Sequence, residues 1–292
     1  MAGPTESAPT IFDAHVHIYS ADRQKYPQVA GRERPIEPSA SAEALLAEMD
    51  RHGVAAALLV QSRWLSEDNR YLVEAMRTYP GRFAALGVLE DPLAADAPAK
   101  LRRQYEEDGF RGVRLHLFPD VDEGVRAGAA DPLIQEARRL GIPLQFLNRI
   151  PTHPTILGVA QRFPDVPMVV DHLGHPEKAE APDYASSAVF FSLAAQPNVY
   201  VKMSSHQLHS AQEFPWADLD DFQRRTIDAF GPRRLMWGSN WPVPTPDRPS
   251  YSQRLDTVRH HLPAFRELTA DEQAWILGHT ALSLWQPVGT TQ

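Results

Sequence analysis

The stretch FRGVRLHLF, residues 110–118, decides the fold because its apolar and polar side chains alternate. Successive side chains of a β-strand point to opposite faces of a sheet. Val113 and Leu115 therefore suit a face that helices cover, whereas Arg114 and His116 point to the opposite face. In a closed barrel that opposite face is the interior, where polar side chains at strand ends form the active site.

Seven further short apolar runs flank this stretch, and amphipathic segments separate them. This alternation predicts βα units around a parallel sheet, and eight such units favour a closed (β/α)8 TIM barrel over a doubly wound sheet. Strands are predicted near residues 11–17, 54–61, 83–89, 110–117, 142–148, 166–172, 198–204 and 234–240. Helices are predicted near 41–52, 67–79, 94–108, 131–140, 153–163, 183–195, 216–230 and 251–262, with a helical ending at 269–285.

Length and composition agree with one domain of this class. The 292 residues match a barrel of about 250 residues with insertions. We predict that residues 1–10 form a flexible leader and that residues 11–292 form a single barrel domain. Two long connections, 18–40 and 204–216, follow strands and are predicted to cover the catalytic end.

Charge and residue usage exclude several classes of function. The net charge of −8, without a Lys/Arg block, argues against a nucleic-acid partner. The longest apolar run, residues 54–60, is too short to cross a membrane. The chain has no Cys, which excludes disulfides, thiolate metal ligands and cysteine nucleophiles. We expect a cytoplasmic protein with a small-molecule partner, and the sequence leaves room for a homo-oligomer.

Polar residues occupy the last inward positions of most predicted strands. In a barrel these positions carry catalytic groups, because the strand ends converge at one mouth. The alternation places inward His15 and His17 on the first strand, Gln61 on the second, Arg114 and His116 on the fourth, Gln145 on the fifth, His172 on the sixth, Lys202 and Ser204 on the seventh, and Asn240 after the eighth. By the same rule Asp13 should point inward and Asp171 outward.

The stretch DAHVHIY, residues 13–19, places two imidazoles on one face of the first strand. Together with His172, His15 and His17 could surround one divalent ion and leave a coordination position open. Neutral imidazoles suit Zn²⁺ or Mn²⁺, and a metal-free site is equally compatible with these residues.

Arginines near strand ends predict a carboxylate in the substrate. The guanidinium groups of Arg63, Arg114 and Arg149 could bind a carboxylate through two hydrogen bonds each. Lys202 and Ser204 are candidate further donors. Three aromatic residues stand close in the chain to these candidate site residues: Trp241, Trp64 and Tyr19. Their side chains could form the walls of a pocket for a ring-shaped substrate.

Taken in order, the motifs DAHVHI, VVDHLGHP, NVYVKMS and RLMWGSNWP resemble the amidohydrolase superfamily. The resemblance covers residues 11 to about 285 and is strongest to the branch of 2-pyrone-4,6-dicarboxylate lactonase and L-fuconolactonase. It implies a distorted barrel that hydrolyses a lactone, an ester or an amide. His15, His17 and His172 would then surround the reacting carbonyl group.

The chain departs from this resemblance at Asn240, a position where the superfamily usually has Asp. A neutral amide cannot take a proton from water, whereas a carboxylate can. We therefore expect His172, His15 or His17 to accept that proton, aided by one metal ion where it is bound. Asn240 would hold the water or the substrate.

Two alternatives to hydrolysis of a carboxylated lactone stay open at this point. The first is metal-dependent, non-oxidative decarboxylation of an aromatic or unsaturated acid, which resembles another branch with this barrel. The second is a ligand-binding barrel whose chemistry changed when Asn replaced Asp at position 240.

Overall fold

The computed structural model describes residues 10–33, 40–243 and 249–287. Eight parallel strands form one sheet in chain order, with helices between them, which confirms the predicted (β/α)8 barrel. The predicted leader, residues 1–10, lies outside the described residues apart from Thr10. The strands are β1 (Ile11–Val16), β2 (Val54–Val60), β3 (Phe83–Val88), β4 (Val113–His116), β5 (Leu144–Leu147), β6 (Met168–Val170), β7 (Val199–Met203) and β8 (Leu235–Trp237).

The ring closes between β1 and the residues that follow β8. Asn240 N donates to His15 O at 2.8 Å, and His17 N donates to Trp241 O at 2.8 Å. Glycine at position 238 permits this approach, because a Cβ atom there would lie 3.0 Å from His15 Cβ. The same hydrogen bonds that close the barrel therefore bring Asn240 beside the histidines of β1.

Helices follow every strand and cover the outside of the ring. They are α1 (Ala42–His52), α2 (Arg70–Thr78), α3 (Ala97–Glu106), α4 (Pro119–Arg126), α5 (Asp131–Leu140), α6 (His153–Arg162), α7 (Ala188–Ser192), α8 (His206–His209), α9 (Asp220–Phe230), α10 (Tyr251–Asp256), α11 (Pro263–Arg266), α12 (Ala270–Ala274) and α13 (Thr280–Leu284). Within the described part of the chain, none of them is long and apolar enough to cross a membrane.

Helix α4 was not predicted, although its start carries recognisable signals. Pro119 occupies the first turn, and Asp120 and Asp122 place negative charge at the helix N-terminus. Only Val125 is buried on this helix, so the apolar periodicity that reveals longer helices is missing.

The lower part of the barrel interior is apolar. Side chains from five of the strands pack there against the C-terminal segment, apart from the larger core between strands and helices. This inner cluster comprises Phe12, Ala14, Ala56, Leu58, Val60, Ala84, Leu86, Val169, Met236, Ala281 and Trp285. Polar side chains begin above it, towards the C-terminal strand ends.

An irregularity in β1 changes the direction of its side chains. Ala14 belongs to the inner cluster, whereas Val16 packs on the helix side. The pairing of β1 with β2 shifts between Asp13 and Val16, and such a shift redirects side chains. His15 and His17 consequently point into the barrel, and Asp13 points away from it.

The prediction that Asp13 shares the inward face is therefore wrong. Its carboxylate accepts hydrogen bonds from His15 N at 3.2 Å, Ser239 N at 2.8 Å and Tyr251 Oη at 2.8 Å. Asp13 thus joins the backbones of β1 and of the segment after β8 to helix α10. Its effect on the site is to fix the main chain at His15 rather than the imidazole ring.

Gln61 also points away from the barrel interior, contrary to prediction. Regular alternation along β2 places Leu58 and Val60 in the inner cluster, so the next residue faces the helices. The Gln61 amide donates to Asp68 O at 2.8 Å and to Asn69 Oδ1 at 3.2 Å. Gln61 therefore stabilises the loop after β2.

Candidate active site

His15 and His17 lie side by side at the C-terminal end of β1, with both rings inside the barrel. Their Nε2 atoms are 3.3 Å apart. His17 Nδ1 donates to Val60 O at 2.8 Å, because a carbonyl oxygen can only accept. Burial lowers the pKa of His17 to about 3, and burial together with the charge of Lys202 holds the pKa of His15 well below its usual value. Both rings are therefore neutral near pH 7.

The hydroxyl group of Ser205 joins His172 to Asn240, and that of Ser204 also contacts His172. His172 Nδ1 lies 2.8 Å from Ser204 Oγ and 3.0 Å from Ser205 Oγ, and Asn240 Nδ2 donates to Ser205 Oγ at 2.6 Å. The ring centre of His172 is 4.5 Å from that of His15. Asn240 Oδ1 is buried and has no hydrogen-bond partner among the described residues.

The backbone is strained at these same positions. The φ angles are 52° at His172, 62° at Ser205 and 52° at Asn240, all in the left-handed region. This conformation costs an L-residue about 1 kcal/mol or more, and such strain clusters at functional sites. The barrel therefore holds three site residues in conformations that an isolated chain would avoid.

Asp171 points into the site, whereas the sequence pattern placed it outside. Val169 belongs to the inner cluster, so the side chain two residues later faces the same way. The prediction failed because β6 ends at Val170, and His172 reaches the interior through its left-handed φ rather than through strand alternation.

A buried ion pair joins Asp171 to β4. Asp171 Oδ2 accepts from Arg114 Nε at 2.8 Å and lies 2.7 Å from a terminal nitrogen of the same guanidinium. Burial alone would raise the pKa of Asp171, but the charge of Arg114 and the interactions with His15 and His172 together outweigh burial and hold this pKa well below its usual value. Asp171 is therefore an ionised carboxylate, and it occupies the Nε edge of the Arg114 guanidinium group.

Lys202 lies fully buried at the centre of the polar layer. Its Nζ donates to Gln145 Oε1 and lies 3.3 Å from His15 Nδ1 and 3.9 Å from Asp171 Oδ1. The same Nζ lies 5.2 Å from the ring centre of Trp285. Burial lowers the pKa of Lys202 to about 7. Lys202 thus contacts His15 directly, and Gln145 holds Lys202. The predicted role of both residues in substrate binding stays a prediction.

A cavity of about 470 Å³ opens above this layer at the C-terminal strand ends. His116 Nε2, at its wall, is buried and unpartnered within the described residues. Trp241 and Trp64 pack against Tyr19 and Leu65 beside it. The cavity is lined by His17, Ser62, Arg63, Trp64, Arg114 and His116, among others.

The arginines of the mouth differ in their surroundings. Arg63 lines the cavity and stacks 4.1 Å from the ring centre of Phe118. Arg32, which sequence reasoning missed, also lines it and donates to Glu90 at 2.9 Å. Arg149 instead lines a separate pocket, and a terminal nitrogen of its guanidinium lies 3.1 Å from His175 Nδ1. The only sequence signal for Arg32 was its place in the charged connection after β1.

The structure brings together most of the predicted site residues and adds others. Of the predicted set, Arg63, His116 and Trp241 lie at the mouth. The buried layer beneath contains the predicted His15, His17, Arg114, Gln145, His172, Lys202, Ser204 and Asn240. It also contains Asp171, which was predicted to point outward, and Ser205, which the sequence pattern did not indicate.

Comparison with known proteins identifies the family. A family model described as amidohydrolase matches residues 12–286. The chain belongs to the amidohydrolase family. This amidohydrolase is 33% identical over 239 residues to an L-fucono-1,5-lactonase of Burkholderia ambifaria, covering 79% of this chain and 80% of that relative. It is 26% identical to a 2-pyrone-4,6-dicarboxylate hydrolase of Comamonas testosteroni, covering 94% and 90% of the two chains.

A solved structure supports the same assignment. The crystal structure of an amidohydrolase from Burkholderia multivorans with bound zinc aligns with a TM-score of 0.77 and 25% identity. The alignment covers 94% of this chain and 98% of the other. The named relatives and the shared family model show that this amidohydrolase is an enzyme of the hydrolase class.

The buried donors of this amidohydrolase fit one metal ion. His15, Asp171 and His172 each place one potential ligand atom within 4.8 Å of the others. His17, predicted as a ligand, lies outside this group of three, but its Nε2 is 3.3 Å from that of His15. Two nitrogen ligands of a tetrahedral zinc ion lie about 3.3 Å apart. Asp171 Oδ1 has no hydrogen-bond partner within the described residues.

Buried histidines away from the site make stability depend on pH. Burial lowers the pKa of His153 and His206 to about 4 and that of His209 to about 3. An unfolded histidine titrates near 6.5, so between that pH and the folded pKa the unfolded chain binds more protons. The free energy of unfolding therefore falls as the pH decreases below 6.5.

We expect each such histidine to remove about 2 kcal/mol of stability at pH 5. Urea titrations at pH 8 and pH 5 would measure this loss. His206→Gln should reduce the difference between the two pH values, whereas His260→Gln, at an exposed site, should leave it unchanged. An identical pH dependence in wild type and His206→Gln would contradict the assignment.

Proposed function

We propose that this amidohydrolase hydrolyses a small lactone that carries a carboxylate. The observation that carries the proposal is the juxtaposition of neutral imidazoles and the Asn240 amide beneath a cavity whose wall holds Arg63 and Arg114. The lactonase activities named for its relatives support the same substrate class.

In the proposed reaction, the unpartnered Asn240 Oδ1 accepts a hydrogen bond from the attacking water. When His172 Nδ1 donates to Ser204 Oγ, His172 Nε2 carries the lone pair that a general base needs. The water oxygen bonds to the lactone carbonyl carbon, and its proton passes to His172. The ring C–O bond then breaks, and the ring oxygen takes that proton to give a hydroxy acid.

A divalent ion, for which we propose Zn²⁺ or Mn²⁺, would polarise the carbonyl and lower the pKa of water when bound. His15, His17 and His172 would hold it, with Asp171 as a further donor. A metal-bound His172 would have no free lone pair, so His172 would act as the base only in the metal-free site. Cytoplasmic location and a homo-oligomeric state stay predictions.

Turnover of a panel of lactones, with and without added metal, tests the proposal. Release of one new carboxylate per lactone, measured by pH-stat titration, is the expected result. Release of carbon dioxide from an unsaturated acid would overturn it in favour of decarboxylation. Tight binding of lactones without turnover would overturn it in favour of a binding protein.

Recognition of the substrate carboxylate is expected to depend on Arg63. Arg63→Gln should raise KM about tenfold, because a charge-assisted hydrogen bond contributes roughly 1.5 kcal/mol or more, and should leave kcat nearly unchanged. Arg233→Gln, at an exposed site on the opposite end of the barrel, is the matched control. Equal kcat/KM for the free acid and its methyl ester would rule out a carboxylate clamp.

A further inference from the structure

His15 Nδ1 faces two buried groups of opposite hydrogen-bonding character. Lys202 Nζ lies 3.3 Å away and Asp171 Oδ1 lies 3.4 Å away. A lysine amine that carries its protons as ammonium can only donate to the ring, whereas a carboxylate can only accept from it. A neutral imidazole has one N–H and one lone pair, so the two partners demand opposite tautomers of His15.

With Lys202 as the partner, a continuous series of hydrogen bonds results. His15 Nδ1 accepts from Lys202, and His15 Nε2–H donates to His17 Nε2 at 3.3 Å. His17 Nε2 can accept because its other nitrogen donates to Val60 O. In this arrangement the His15–His17 pair shares a proton and has no lone pair left for a metal ion.

With Asp171 as the partner, His15 Nδ1 carries the proton and both Nε2 lone pairs face each other across 3.3 Å. Two facing lone pairs repel unless a cation lies between them. The separation matches that of two nitrogen ligands on one zinc ion, about 3.3 Å. Donation from a metal-bound histidine to a carboxylate is also the usual way in which such a ring is oriented.

We propose that Lys202 and Asp171 compete for His15 Nδ1, and that Lys202 thereby weakens the binding of a divalent ion to the His15–His17 pair. Lys202 is held independently of His15, since Gln145 Oε1 accepts from it and the Trp285 ring lies beneath it. As an ammonium group, Lys202 also repels a cation. Arg114 holds the other oxygen of Asp171, which leaves Oδ1 as the oxygen that faces His15.

Lys202→Met tests the proposal, because methionine keeps the length of the side chain but cannot donate. Titration of the metal-free proteins with Co²⁺, followed by visible absorption, should show binding about tenfold tighter than in wild type. Lys178→Met, at an exposed site, should match wild type. The double variants Lys202→Met/His17→Ala and Lys202→Met/Asp171→Asn should lose the gain. Unchanged Co²⁺ affinity in a folded Lys202→Met protein would overturn the proposal.

The tautomer of His15 provides a second test that needs only the wild-type protein. In ¹⁵N NMR spectra of the metal-free protein, His15 Nε2 should be protonated and Nδ1 should not. A proton on His15 Nδ1 would refute the competition by Lys202. Both measurements are made without substrate, so their outcome is separate from whether lactones are hydrolysed.

Discussion

His172→Ala is expected to lower kcat for lactone hydrolysis by about 10²- to 10⁴-fold, the usual effect of removing a general base. His172 Nδ1 can donate to Ser204, and its ring lies 4.5 Å from that of His15, so its other nitrogen is the candidate proton acceptor. KM should change much less, because Arg63 and Arg114 supply the proposed contacts to the substrate carboxylate. Steady-state kinetics on a single lactone would separate the two parameters.

Two further variants give this experiment its controls. Ser204→Ala removes a hydrogen-bond partner of His172 but leaves the ring, so a smaller loss of kcat is expected. His260→Ala changes an exposed histidine outside the site and should behave like wild type. If His172→Ala retains full kcat in a correctly folded protein, His172 is not the base, and His15→Ala and His17→Ala become the decisive variants.

Asn240→Asp is expected to raise kcat, by about 10²-fold if the new carboxylate acts as a general base. Asn240 Oδ1 is already buried and unpartnered within the described residues, so a carboxylate oxygen there would meet the same water and could also take its proton. The increase in kcat should appear only at pH values at which the new carboxyl group is ionised. Since burial raises the pKa of a carboxyl group, activity should be lost as the pH falls through that raised pKa.

The double variant His172→Ala/Asn240→Asp separates two explanations of such a gain. A carboxylate that replaces the histidine as base should rescue much of the activity that His172→Ala loses. Asn240→Ala, which removes the oxygen that holds the water, should reduce kcat in either case. An unchanged rate in Asn240→Asp across the whole pH range would show that the base is not what limits hydrolysis.

The sequence predicted β4 and its site residues correctly, because regular alternation along FRGVRLHLF is a local property. Arg114 and His116 point inward as expected, with Leu115 on the helix side. The same rule failed on β1 and at the end of β6. In β1, Asp13 points outward between the inward Phe12 and Ala14, and a pairing irregularity after Asp13 turns His15 and His17 inward. After β6, a left-handed turn brought in His172, while Asp171 kept the alternation.

By itself, the sequence determined that eight strands form a barrel and that polar side chains gather at one end of it. Those properties depend on apolar periodicity within about ten neighbouring residues. Only the tertiary structure decided which atoms face one another. Lys202 meets His15 across 187 residues, and Arg114 meets Asp171 across 57. Such contacts depend on how the ring closes and on the register between strands, which no local pattern encodes.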